Sequence, residues 1–134
     1  MPKEIVTSPD APTTGFTDPA KAPPIVQAIK AGPFLFVSGQ GPLDPATKKV
    51  IEGDIAAQTR RTLANLAAIL KAAGAGFDQV VNMRVCLRDV ADFPAFNETF
   101  REVMAGAKTT RTCTGGTPHR AGVNVEIDCV AYLG

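Results

Sequence analysis

Three kinds of side chain in this 134-residue sequence have the chemistry to do more than hold a fold. Glu126 and Asp128 alternate with Val125, Ile127 and Cys129, so the two carboxylates share one face of a strand. Such a pair can position or activate a water. A solvated sheet face carrying an incidental acidic pair gives the same pattern, and periodicity alone favours that plainer reading. Upstream lies Arg111, with Cys113 on the same strand face. A planar guanidinium can hold a carboxylate through two parallel charge-assisted hydrogen bonds, or be an ordinary surface cation.

The remaining candidates point nowhere specific. His119 is the only histidine and sits in a loop rich in Pro, Gly and Arg, so the case for a Ser-His-Asp arrangement is weak. Cys86, Cys113 and Cys129 are odd in number and widely spaced, which fits reduced thiols better than a disulfide framework. Cys86 and Cys129 fall in strands and read as small buried hydrophobes. No His, Cys or carboxylate cluster has metal-ligand spacing. Gly74-Ala75-Gly76 follows a helix rather than a strand, the wrong context for a dinucleotide loop, and no cofactor motif is visible. The sequon Asn97-Glu98-Thr99 falls inside a helix and reads as chance.

The elements that must position these residues follow from hydrophobic periodicity. Residues 7–24, with Pro9, Pro12, Pro19, Pro23 and Pro24, form the end of an extended N-terminal segment. Ile25–Lys30 and Phe34–Ser38 read as a hairpin across Ala31-Gly32-Pro33, and Gly39–Gly53 as a loop. Asp54 is a good N-cap for a helix with an apolar stripe of Leu63, Leu66, Ala67, Leu70 and Ala73. Gln58, Arg61 and Asn65 mark its other face. Val80–Leu87 is a half-buried strand with Val81, Met83, Val85 and Leu87 on one face. A second helix starts at Asp92, with Pro94 in its first turn and a stripe of Phe93, Phe96, Phe100, Val103 and Met104 ending at Gly106. A short strand near Thr110–Thr114 and a long one over Val123–Tyr132 complete a β-β-α-β-α-β-β order in one domain, residues 1–134.

Two helices with single apolar stripes cannot cover both faces of a mixed sheet, so an α+β layer with both helices on one face is expected, the other face being solvated or covered by a partner. Fourteen Lys and Arg against 13 Asp and Glu give a net charge of +1, which speaks against nucleic acid as a partner. No apolar run approaches a bilayer span, and Met1-Pro2-Lys3-Glu4 lacks the apolar stretch of a secretory signal. The expectation is a cytoplasmic protein.

A set of segments in a fixed order resembles the RidA/YjgF family. They are Phe36-Val37-Ser38-Gly39-Gln40, Pro42 with Asp44-Pro45, Gly53-Asp54-Ile55 with Gln58-Thr59, and the helix carrying Leu63, Asn65 and Leu66 to Ala72-Ala73-Gly74. Val80-Val81, Val85, Leu87, Asp92-Phe93, Asn97, Arg111 and Val125-Glu126-Ile127-Asp128 follow. The resemblance runs from about Pro24 to Ala131. It implies a chorismate-mutase-like α+β sandwich and a homotrimer whose sheets form a central barrel with clefts between subunits. It also implies cofactor-free hydrolysis of 2-aminoacrylate and related 2-imino acids to 2-keto acids and ammonia. Carried over residue by residue, Arg111 matches the carboxylate-binding position and Glu126 the carboxylate that positions or activates water. Ser38, Gly39, Asn97 and Cys113 match other parts of the cleft.

The sequence departs from the family in three places. Pro23-Pro24-Ile25-Val26-Gln27 stands where a Gly-Pro-Tyr run is usual, so Ile25 replaces a tyrosine that lines the cleft. The connection from Asn97 to Arg111 is short. Gly116-Thr117-Pro118-His119-Arg120 replaces the usual Leu-Pro, which alters the cleft mouth. Ile25 leaves open a biosynthetic or catabolic specialist acting on a larger imine or carbonyl compound, and the resemblance also implies, as a further alternative, a non-enzymatic or RNA-related role such as a chaperone-like binder or endoribonuclease.

Overall fold

The computed structural model describes residues 2–12 and 19–134, so the part of the expected N-terminal loop at residues 13–18 lies outside the described residues. Six strands form one sheet in the order β1-β2-β3-β6-β4-β5. They are β1 (Glu4–Val6), β2 (Ala28–Ala31), β3 (Phe34–Gln40), β4 (Val80–Leu87), β5 (Thr110–Gly115) and β6 (Val125–Tyr132). Only the β4–β5 pair is parallel. Two helices, α1 (Ile55–Ala72) and α2 (Phe93–Met104), pack on one face, giving the expected two-layer α+β sandwich.

The core fills the space between helices and sheet. Leu63, Leu66, Ile69 and Leu70 of α1 and Phe96, Phe100 and Met104 of α2 meet Leu35, Met83, Val85, Ile127 and Cys129, all buried. Asp54 starts α1 as expected, accepting the Ala57 N–H at 2.9 Å. Gly74 ends it with φ +76°, its N–H on the Lys71 carbonyl and the Ala75 N–H on the Leu70 carbonyl. In α2 the cap is Ala105 at φ +49°, followed by the expected Gly106 at φ +92°.

Several expectations are corrected. Glu4–Val6 is an edge strand paired with β2, so the N-terminal segment is partly sheet. Gln58 and Asn65 are buried rather than solvent-facing. Gln58 donates to the Gly122 carbonyl and accepts from the Asn124 N–H, both at 2.9 Å, while Asn65 donates to the carbonyls of Gly41 (3.1 Å) and Leu43 (2.9 Å). The polar side of α1 thus fastens the two loops that the sheet sends over it. Loop backbone under a helix needs partners, and buried amides supply them. Val81 is exposed because β4 has an extra residue between Val80 and Asn82, which turns it off the core face. Cys86 is only half-buried and lies on the face away from the helices.

Candidate functional site

The sheet sorts the candidate residues onto its two faces. In β6 the core face is Val125, Ile127 and Cys129, which sends Glu126 and Asp128 to the open face. In β5, Arg111 is in register with buried Met83 and Cys113 with buried Val85, which sends both toward the helices. Glu126 and Arg111 are therefore on opposite faces of one sheet and cannot meet on one substrate within one chain.

Around Glu126 the backbone is shaped to receive it. Strand β3 carries one extra residue against β6 between Val37 and Gln40, so Ser38 and Gly39 form a bulge. Ser38 Oγ donates to the Val26 carbonyl at 2.6 Å, and its N–H to the Gln27 carbonyl at 2.9 Å. Gln27 in turn is buried and holds the N-terminal segment through Ser8, Ala11 and Pro12. At Gly39 an added Cβ would collide with Glu126 Oε1, so the glycine is the seat of the carboxylate. Gly39, Glu126 and Ile25 line a depression of about 180 Å³ with His119 and Arg120. A shallower one on the open face, about 480 Å³, is lined by Ile25, Ser38, Gly39, Arg84 and Asp128 among others.

The two carboxylates have different partners. Asp128 accepts from Arg84 Nε at 3.0 Å, a bond that raises the arginine's pKa. Glu126 meets no cation and no donor among the described residues. Periodicity makes the pair equivalent; the neighbouring strand separates them into an engaged acid and a free one.

Arg111 is the second free charge. Its Nη1 donates to Asn97 Oδ1 at 2.9 Å, and it joins no ion pair among the described residues. The guanidinium carbon lies 4.9 Å from the ring centre of Phe100, 5.6 Å from Phe93 and 5.7 Å from Phe96. Asn97 and the three rings all project from α2. Burial pushes the nearby Cys113 thiol up, with Arg111 pulling it partly back.

His119 lines the smaller depression. Its loop is pinned by Arg88, which donates to the carbonyls of Val123, Arg120 and Pro118, and by Arg120, which donates to the Lys48 carbonyl. This loop is the altered run Gly116–Arg120 of the sequence.

The family model described as Endoribonuclease L-PSP matches residues 16–133. The chain belongs to that family, the RidA/YjgF group. Among its members, a RutC family protein of Pyrococcus horikoshii is 42% identical over 119 residues, spanning 87% of this chain and 94% of its own. The 2-iminobutanoate/2-iminopropanoate deaminase of Mus musculus is 34% identical over 116 residues, spanning 87% and 86%. Among solved structures of the RidA/YjgF group, RidA from the Antarctic bacterium Psychrobacter superposes with a TM-score of 0.85 at 30% identity, covering 96% of this chain and 98% of its own. The family thus includes an imine deaminase, and its name also carries the endoribonuclease description. No helix of the described residues is long and apolar enough to cross a membrane.

Proposed function

We propose that the protein hydrolyses 2-imino acids and their enamine tautomers to 2-keto acids and ammonium, in clefts between the subunits of a homotrimer. The observation that carries this reading is the pair of free charges on opposite sheet faces. A guanidinium beside rings and a carboxylate seated on a glycine, neither in an ion pair, cannot act on one substrate within one chain, and a second copy of the chain would bring one of each to the same cleft. The open sheet face, with Phe34, Phe36 and Tyr132 exposed, supports such packing. The kinship with the mouse deaminase supports the reaction class.

In this cleft Arg111 of one subunit takes the substrate carboxylate on the guanidinium edge that Asn97 leaves free. Glu126 of the neighbour orients a water toward the imine carbon and accepts its proton. The C–O bond forms as the C=N electron pair moves to nitrogen, giving a carbinolamine. Glu126 passes that proton to the nitrogen, takes the hydroxyl proton as the carbinolamine collapses to C=O, and gives it to the departing nitrogen, which leaves the cleft as ammonia and is protonated to ammonium in solution. Ser38 and Gly39 hold the wall beside Glu126, Cys113 lies near the clamp, and Ile25 gives an apolar surface for the substrate's side chain.

Two measurements test this. Addition of the protein to an amino-acid oxidase that releases 2-imino acids should accelerate 2-keto acid formation beyond spontaneous hydrolysis. Light scattering should give three times the 14.0 kDa subunit mass. A monomer at micromolar concentration would remove the cleft. Ile25, 57% exposed at the depressions, favours a second reading in which the preferred substrate is a larger imine with an apolar side chain.

A further inference from the structure

We infer that Phe93, Phe96 and Phe100 form an aromatic cage that positions the Arg111 guanidinium and sets its affinity for carboxylate. The inference rests on the reading of Arg111 as the clamp, and adds residues to which that reading gave no role. All three ring centres lie within the roughly 6 Å at which a cation is held by an aromatic quadrupole. The rings come from successive turns of one face of α2, and Asn97 stands on the same helix with its carbonyl on Nη1. One helix thus fixes the plane of the guanidinium by its rings and its rotation by one hydrogen bond.

The cage has a consequence for binding. An arginine neutralised by a protein carboxylate would have to release it before taking a substrate; Arg111 has none among the described residues. Aromatic faces stabilise the cation without using its N–H donors. The donors not held by Asn97 are left for an anion, and a side chain already fixed in place loses less freedom when the anion arrives. The rings are positioning residues, since they act through Arg111 and need not touch substrate.

The three positions differ in how safely they can be changed. Phe96 is fully buried and Phe100 nearly so, whereas Phe93 is 39% exposed at the start of α2 and a substitution there leaves the core intact. Phe93→Leu keeps apolar bulk and removes the quadrupole; Phe93→Tyr keeps both. The expected result is a KM for a 2-imino acid raised about threefold to tenfold in Phe93→Leu, with kcat within about twofold and wild-type KM in Phe93→Tyr. Phe100→Leu should act in the same direction, with folding checked by thermal denaturation. Equal KM in Phe93→Leu and wild type, or failure of Phe93→Tyr to rescue, would overturn the inference.

A second measurement needs no activity. In a 15N-labelled protein the Arg111 Nε–Hε signal, assigned by its loss in Arg111→Lys, should be ring-shifted and slow to exchange with solvent. It should move toward the exposed arginines in Phe93→Leu and Phe100→Leu. A signal indifferent to both substitutions would show that no cage exists. If the wild type hydrolyses no 2-imino acid, the deaminase reading fails while this spectrum still decides whether the cage is real.

Discussion

Gly39 and Glu126 occupy one another's space: the carboxylate oxygen Oε1 sits where a side chain at position 39 would begin. Gly39→Ala therefore has to move the far end of the Glu126 side chain, which is flexible, while the strand itself can stay. Turnover should fall by about 10- to 100-fold, the scale of a catalytic group displaced by about an ångström. Stability should change little. Steady-state kinetics and a thermal melt on the same sample check it, and wild-type turnover would show that Glu126 does not act from this seat.

Arg111→Ala removes one member of a charge pair formed with substrate in a partly desolvated cleft, which corresponds to about 2–5 kcal/mol. The loss in kcat/KM should be roughly 30-fold to several thousand-fold. Glu126→Gln keeps the shape and removes the charge, so kcat should drop more than KM rises. Full activity of Arg111→Ala would move the carboxylate clamp elsewhere.

Gln58 tests the fold rather than the chemistry. Gln58→Leu would leave the Gly122 carbonyl and the Asn124 N–H without partners under α1. The expected cost is about 1–2 kcal/mol, because both groups are only part-buried and recover some hydration. Chemical denaturation at constant slope measures it. A loss under half a kilocalorie would mean that water replaces the amide.

These predictions draw on different depths of the sequence. The two helices, the long strands and the side of the sheet that the helices cover follow from periodicity, because burial on one face imposes it. Asp54 and Gly74 were legible as caps because their chemistry is local. Gln58 and Asn65 were not: a glutamine that fastens a loop 64 residues away looks the same in sequence as one facing water. Val81 was misplaced because an extra residue in a strand shifts register without leaving a mark in composition. At the site, strand alternation put Glu126 and Asp128 on one face, but the partner that distinguishes them, Arg84, comes from another strand. The opposition of Arg111 and Glu126 was likewise invisible, since it depends on which strands lie side by side.

The thiols give a pH-dependent check. Cys129 is pushed up from 9.0 to about 12, by burial first and by Asp128 second. A pKa raised on folding means that its contribution to stability is fully present below the unfolded value. That contribution is lost as pH rises from about 9 toward 12. Denaturation midpoints should thus fall more steeply across this range in the wild type than in Cys129→Ala. Parallel slopes would mean that the thiol ionises equally easily in both states. At pH 8 a thiol reagent should leave Cys129 unmodified until the protein unfolds.

Because each chain carries Arg111 on one side of its sheet and Glu126 on the other, two dead proteins should make a live one. Subunits with Arg111→Ala still offer an intact Glu126, and subunits with Glu126→Gln still offer an intact Arg111. Unfolded together in equal amounts and refolded, they should regenerate about a quarter of the wild-type clefts by random assortment around a three-fold ring. Each pure variant refolded alone should remain at its own low rate. A mixture no better than its components would place both charges in the service of one chain. Complementation would instead make the working unit a junction between neighbours, so that a defective copy silences the clefts it borders and spares the rest.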